Sequence, residues 1–407
     1  MLGSQGEILP FKDVFDQELK GKTVVVRVDL NSSIVEGRVV VSSRLREHAK
    51  TIYALCEEGA KVVVLSHQGR KGEADFIPLK RHADFIKKFV DRNVKFVKWD
   101  ENFVKAIKEM REGTVVVLDN TRFLDIEEAK GKTAKDFVAV EPFKSLAGVA
   151  DYFVQDALSV CHRNHASVVA LAARLPSFVG PVLKRELEGL KKLEEIKDGK
   201  LLVLGGAKVS DSIEIVESML EKKLCNEVCI GGLFGEVFLK AKGVNFGKSD
   251  ALFETEEMKK LLPKAAALLK KHGSRIVLPV DVASKPNGGR RELKLKDLPV
   301  EEAILDIGVG TTELFKKKVR ASKLVVFNGP LGVYEQKSFE IGTKKLLETI
   351  AFSRCFSLVG GGDTERALFQ IGLLPQDFTH VSIAGKALLE YLAGKKLPGL
   401  AALENGV

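Results

Sequence analysis

The sequence predicts an α/β protein built as two doubly wound parallel-sheet domains joined by a long helix and a hinge. Three observations carry this. At 407 residues the chain is longer than one core usually organises, and two domains of roughly 150 to 200 residues are the expectation. Short β-branched runs recur between amphipathic stretches, the pattern of strands buried on both faces and linked by helical crossovers. The alternation pauses once, at residues 176–198 in "PSFVGPVLKRELEGLKKLEEIKD": a proline-bounded start, a long charged helical pattern, and then a glycine stop.

In the first half the runs are "TVVVRV" (23–28), "KVVVL" (61–65), "NVKFV" (93–97), "TVVVL" (114–118) and "YFVQDA" (152–157). In the second half they are "KLLVL" (200–204), "NEVCI" (226–230), "RIVLPV" (275–280), "KLVVF" (323–327) and "CFSLV" (355–359). We therefore expect one Rossmann-like domain over 1–180, an interdomain helix over 181–198, and a second Rossmann-like domain over 199–385. A C-terminal helix and tail, 386–407, is expected to pack back toward the first domain. No fixed-period repeat interrupts the pattern.

Composition narrows the function classes. No apolar stretch approaches the roughly 20 residues that span a bilayer, and the start "MLGSQGEILPFKDVF" lacks a signal-peptide core, so a cytoplasmic protein is expected. The five cysteines, Cys56, Cys161, Cys225, Cys229 and Cys355, have no CxxC spacing and read as reduced, buried thiols. A net charge of +9 favours anionic partners. The lysines of "LKKLEEIKDGK" alternate with glutamates, as on a solvated face, and there is no basic stripe with stacking aromatics of the kind nucleic acid requires.

In open parallel sheets ligands bind beyond the carboxyl ends of the strands. In the first half those ends carry Asp29 and Asn31, then His67 and Arg70 in "SHQGRKGEADF", then Arg122 in "LDNTRF", then His162, Arg163 and His165 in "DALSVCHRNHAS". Arg44, in "VVVSSRLREH", falls near a helix start. Arginine forks match carboxylate and phosphoryl oxygens bidentately, so this set suits a small dianion that also bears a carboxylate. Surface ion pairs are the alternative for any one arginine, and a core or capping role for either histidine.

The second half offers glycine turns instead. "LLVLGGAKVSDS" (201–212) runs strand, Gly-Gly, Lys208, helix start; "CIGGLFGEVFLKAKG" repeats the turn at Gly231 and Gly232; "LVGGGDTERAL" does so at Gly360, Gly361 and Gly362, followed by Asp363 and Thr364. Such turns present backbone amides and helix dipoles to phosphates. Asp363 is placed at an N-cap, to cap the helix or to hold a Mg²⁺ bound to nucleotide phosphates. Neither the P-loop spacing nor a convincing dinucleotide fingerprint is present.

From about residue 20 to residue 400 these stretches resemble the phosphoglycerate kinase family, and its archaeal members in several details, through "VRVDLNSS", "GAKVVVLSHQGR", "LDNTRF", "DALSVCHRNHAS", "LGGAKVSDS", "FNGPLGVYE", "LVGGGDT" and "THVSIAGKALLEYLAGKKLPGLAAL". The resemblance implies a glycolytic, ATP-binding transferase: reversible phosphoryl transfer from 1,3-bisphosphoglycerate to MgADP, giving 3-phosphoglycerate and MgATP, by in-line transfer as two domains close about a hinge. It implies that Asp29, Asn31, Arg44, His67, Arg70, Arg122, His162 and Arg163 hold the phosphoglycerate, with Arg44 reaching the transferring group. Nucleotide contacts would fall on Lys208, Gly231, Gly232, Asn328, Pro330, Glu335, Gly361, Gly362, Asp363 and Thr364, with Arg44 and Lys208 catalytic and Asp363 the Mg²⁺ ligand. Neither a nucleic acid nor a membrane partner is implied; a monomer is expected, a dimer being the alternative.

The chain departs from the family in "NSS", at Lys71, and at Leu158, Val160 and Cys161. Two departures touch the phosphates: Ser212 stands where a second lysine is common, and "IAGKA" replaces a glycine-rich stretch and brings in Lys386. A compensating Lys386 is one reading and an exposed lysine the other. A kinase-like nucleotide-binding protein with impaired turnover is the competing function, and a charge-driven nucleic-acid binder a third.

Overall fold

The computed structural model describes residues 11–404, the side chain at position 211 excepted. The chain divides into two compact units, Met1–Glu188 with Lys396–Val407, and Gly189–Lys395. The first division falls inside the helix Pro181–Glu195. The second separates the helix Lys386–Leu392, which packs on Val209–Glu221 in the second unit, from Pro398–Glu404, which packs on Leu158–Cys161 and Ala166–Val169 in the first. Gly399 permits that last contact, since a Cβ there would stand 2.8 Å from Cys161 Sγ.

Among the described residues of the first unit, β1 (Thr23–Arg27), β2 (Lys61–Leu65), β3 (Val94–Val97), β4 (Val115–Leu118), β5 (Tyr152–Gln155) and β6 (Ser177–Val179) form a parallel sheet in the order β3-β4-β2-β1-β5-β6. Period-two alternation sends Val25, Val63, Val116 and Phe153 into one core layer, and Val24, Val26, Val62, Val64, Val115 and Val117 into the layer on the opposite face. Each fully buried side chain of this kind contributes roughly 1.5–3 kcal/mol, which explains why the runs are almost purely β-branched.

In the second unit, β7 (Lys200–Leu204), β8 (Glu227–Ile230) and β9 (Ile276–Val277) are followed by an antiparallel sheet of β10 (Asp281–Ser284), β11 (Arg291–Lys294) and β12 (Ile304–Ile307). Then come β13 (Leu324–Asn328), β14 (Phe356–Gly360) and β15 (His380–Ser382). The parallel sheet runs β9-β8-β7-β13-β14-β15. "RIVLPV" supplies only a two-residue strand because Pro279 cannot donate to a ladder.

All five cysteines are buried free thiols, and burial pushes Cys56, Cys161 and Cys225 up to about 12. Among the described residues no helix is long and apolar enough to cross a membrane.

Candidate active site

The loops leaving β1, β2, β4 and β5 bring most of the sequence-predicted anion-binding residues of the first unit together. Asp29 follows β1 and is 2 % exposed. Its Oδ2 pairs with Arg44 Nη1 at 3.0 Å and accepts from Ser159 Oγ at 2.6 Å, while Oδ1 accepts from Asn31 N at 3.1 Å. Burial opposes its ionisation, yet Arg44, His67 and the Ser159 hydroxyl outweigh burial and hold the carboxyl well below the usual range. Arg44 is the second residue of the helix Ser43–Glu57, whose N-cap Ser42 accepts from Leu45 N.

The stretch "SHQGR" is shaped by amide side chains. Asn31 Oδ1 accepts from Gly69 N at 2.9 Å. Gly69 has φ +65°, and a Cβ there would sit 2.4 Å from Asp75 O, so the turn requires glycine. Buried Gln68 accepts from Ser32 N at 2.9 Å and donates to Ser32 O at 3.0 Å and Asp75 O at 3.2 Å. Asn120 Oδ1 accepts from Gln68 N and Arg122 N, and its amide donates to Gln68 O at 2.7 Å and Ile77 O at 3.1 Å. These two amides fix three loops at once. In sequence they look like filler between chemically conspicuous neighbours.

Arg122 donates to Gly69 O and lies 2.9 Å from Glu128. Arg163 Nε donates to His162 Nε2 at 3.2 Å, and burial, then Arg122, lower the Arg163 guanidinium from its ordinary value, with Arg70 adding to the effect. Arg70, Arg122 and Arg163 thus act on one region of space. Arg70 is exposed, whereas Arg44 Nε and Arg163 Nη1 are buried donors without a hydrogen-bond partner among the described residues.

Three further residues complete this half of the site. His67 is buried and is held well below its ordinary value by burial and by Arg27, so it is a neutral donor. Arg27, which sequence reasoning passed over as the last residue of a strand, donates to Ser167 Oγ at 2.9 Å and lies 3.3 Å from His67 Nδ1. A guanidinium only donates, so Nδ1 accepts and the ring proton sits on Nε2. His165 stands between Glu127 at 3.9 Å and Glu128 at 3.8 Å, and burial keeps it neutral, down to about 3.

His82 Nε2 lies 3.1 Å from Gln68 Oε1, and burial lowers this ring from 6.5 to about 4. Between those values the unfolded chain binds the extra proton, so the stabilisation is present above pH 6.5 and is lost as pH falls toward 4. Thermal unfolding from pH 7 to pH 4 is expected to show the first unit softening by on the order of 1–3 kcal/mol per such histidine. His82→Gln should flatten part of the slope; an unaltered slope would remove His82 from the explanation.

In the second unit four loops converge on bare backbone. Gly206 N donates to Pro330 O at 2.6 Å, and a Cβ on Gly205 would stand 2.2 Å from the same oxygen. A Cβ on Gly232, at φ +61°, would stand 3.1 Å from Gly206 N, and one on Gly361, at φ +101°, 3.0 Å from Asn328 Nδ2. Asn328 Nδ2 is itself a buried donor without a partner among the described residues. Gly361, not Asp363, is the N-cap of the helix Gly362–Ile371; Asp363 is its second residue and points to cations. Its Oδ2 lies 3.9 Å from Lys208 Nζ and its Oδ1 accepts from Arg366 Nη2 at 2.8 Å. Arg366 was not anticipated.

Thr364 is fully buried, and its hydroxyl accepts from Gly329 N at 2.8 Å, so its side chain braces that loop. Glu335 is exposed, and the buried Tyr334 hydroxyl is raised first by burial and then by the carboxylates of Glu335 and Asp363. Ser212 Oγ donates to Lys208 O at 3.0 Å, and Lys386 Nζ lies 3.8 Å from Glu390.

Comparison with known proteins identifies the family. A family model for phosphoglycerate kinase matches residues 14–395. The chain is 37% identical over 393 residues to the phosphoglycerate kinase of Methanopyrus kandleri, covering 95% of this chain and 96% of that one. It is 36% identical over 403 residues to that of Methanothermobacter thermautotrophicus, covering 97% of each. The crystal structure of phosphoglycerate kinase from Pyrococcus horikoshii superposes with a TM-score of 0.89 at 34% identity, over 97% of this chain and 98% of that one. With the family model spanning nearly all of both units and relatives matching end to end, the chain belongs to the phosphoglycerate kinase family and is an enzyme of that reaction.

Proposed function

We propose that the two half-sites divide the reaction's substrates between them, the first unit holding the three-carbon acid and the second the nucleotide. The observation that carries the first assignment is the pair of buried, unsatisfied donors, Arg44 Nε and Arg163 Nη1, beside Arg70 and Arg122. Leaving such donors unpaired costs about 1–3 kcal/mol each, and the oxygens of a phosphoglycerate would satisfy them. For the nucleotide, the turns at Gly205, Gly232 and Gly329 pack backbone against backbone with no side chain between them, and Lys208 lies 3.9 Å from Asp363.

Among the described residues no group of three or more His, Cys, Asp or Glu side chains could hold a metal alone. Asp363, a single carboxylate beside Lys208, fits a Mg²⁺ that takes its remaining ligands from nucleotide phosphates. Bound there, the ion would neutralise phosphate charge.

A terminal β-phosphate oxygen of ADP attacks the phosphorus of the acyl phosphate, the bond to the acyl oxygen breaks, and 3-phosphoglycerate leaves as a carboxylate. No proton moves and no general base is required, so positioning and charge neutralisation carry the catalysis. Arg44 supplies the charge from the acid side and Lys208 from the nucleotide side. His67, neutral with its proton on Nε2, hydrogen-bonds without adding charge, and Asp29 orients Arg44.

A coupled assay for ATP formation from ADP and 1,3-bisphosphoglycerate tests the reading directly. Asp363→Asn should raise the Mg²⁺ concentration for half-maximal ADP binding by about ten- to a hundredfold while leaving 3-phosphoglycerate binding alone. An unchanged Mg²⁺ requirement in calorimetric ADP titrations would remove Asp363 from the metal.

A further inference from the structure

The loop that follows β13, residues 329–340, is held from behind by a buried ion pair that takes no part in phosphoryl transfer. Arg290 enters from the antiparallel sheet and spends its guanidinium in several directions. Nε lies 2.7 Å from Glu292, Nη1 donates to Asp306 Oδ2 and to Ser338 O, each at 2.7 Å, and Nη2 donates to Ile307 O at 2.9 Å. The guanidinium carbon stands 5.7 Å from the Phe339 ring centre. Asp306, 4 % exposed, accepts from Gly342 N and Ile307 N at 2.9 Å each. It also fills the space where a Cβ of Gly332 or Gly342 would stand, 2.3 and 2.5 Å away.

The pair therefore grips the loop at Gly332 and Ser338, and the start of the following helix, Ile341–Ala351, at Gly342. Ser338 has φ +74°, a left-handed conformation that costs a non-glycine residue about 1–3 kcal/mol and persists only where neighbours impose it. Its carbonyl is the one Arg290 holds. Ile307, whose carbonyl Arg290 also holds, reaches the other side of the site, its Cγ2 lying 3.3 Å from where a Cβ of Gly231 would be. One guanidinium thus fixes both the loop that carries Pro330 and Glu335 and the wall behind the Gly231 turn. A lysine cannot reproduce these bonds, because it offers no planar fork.

We propose that Arg290 and Asp306 are positioning residues for nucleotide binding: they hold Ser338 left-handed, and this sets where Tyr334 and Glu335 stand. The proposal rests on reading the second unit as the nucleotide half-site. Calorimetric titration of the full chain with ADP and, separately, with 3-phosphoglycerate tests it. Arg290→Gln should weaken ADP binding roughly tenfold or more, Arg290→Lys should recover only part of this, and 3-phosphoglycerate binding should stay within about twofold of the parent.

Adding Ser338→Gly to Arg290→Gln should restore ADP affinity in part, because glycine adopts the left-handed conformation without being held. Parental ADP affinity in Arg290→Gln, or a double variant no tighter than the single, overturns the proposal. Should Arg290→Gln fail to fold, Asp306→Asn keeps the shape and removes the charge, and the same expectations and the same overturning results apply to it. A parent chain that binds no ADP defeats the nucleotide assignment instead.

Discussion

Replacing Arg44 with alanine lowers turnover in the ATP-forming assay by about three to five orders of magnitude, the range seen when an arginine that neutralises a transferring phosphoryl group is lost. The expectation follows from its place. Arg44 is anchored by Asp29 at 3.0 Å, yet its Nε remains buried without a partner among the described residues. Arg44→Lys should rescue little, because a point charge cannot hold Asp29 and phosphoryl oxygens in the same plane. Removing the guanidinium also strands the buried Asp29 carboxylate, so the variant should unfold at a lower temperature with its Ser159 and Asn31 bonds still in place. A folded Arg44→Ala chain turning over within tenfold of the parent would show that the guanidinium merely balances Asp29.

The second large effect is steric. Gly329 has φ +86°, and a Cβ there would stand 2.4 Å from Gly205 O, which is backbone and cannot swing away. Gly329→Ala combines a disfavoured conformation with an overlap and is expected to cost about 2–5 kcal/mol, all of it in the second unit. ADP binding should be lost while 3-phosphoglycerate binding survives, as paired calorimetric titrations would show. Gly243 is the control: its φ is +92° but nothing lies within 4 Å of the added carbon. Gly243→Ala should pay for strain alone and keep its nucleotide affinity.

Much of this architecture was legible in the sequence for reasons of period and length. Runs such as "TVVVRV" and "KLLVL" are uniformly buried, and doubly covered strands have no polar positions to blur them. The three-residue edge strands Ser177–Val179 and His380–Ser382 were not legible, because three residues are too few to show an alternation. The antiparallel sheet over 281–307 was also missed: in Arg291–Lys294 only Leu293 is buried, and one apolar residue gives no pattern.

At the site, residue type announced the arginines and the glycine turns, since few other residues can do what they do. It did not announce which arginine lies underneath. Arg122 stood out as a cation after a strand, whereas Arg27, the last residue of a strand, did not, and it is Arg27 that donates to Ser167 and lies against His67 Nδ1. Thr364 and Asp363 are adjacent, yet one is sealed beneath Gly329 and the other faces Lys208. That choice of side belongs to the helix phase, which the tertiary packing settles.

The Gln68 and Asn120 side chains have a consequence for the response of the enzyme to salt. Both are uncharged, and both are sealed from solvent while they tie the loops together. Dissolved ions screen the pull of the outer arginines on an approaching anion, whereas the two amides themselves offer them no charge to act on. Capture of substrate thus yields to ionic strength, and the form of the pocket that receives it does not.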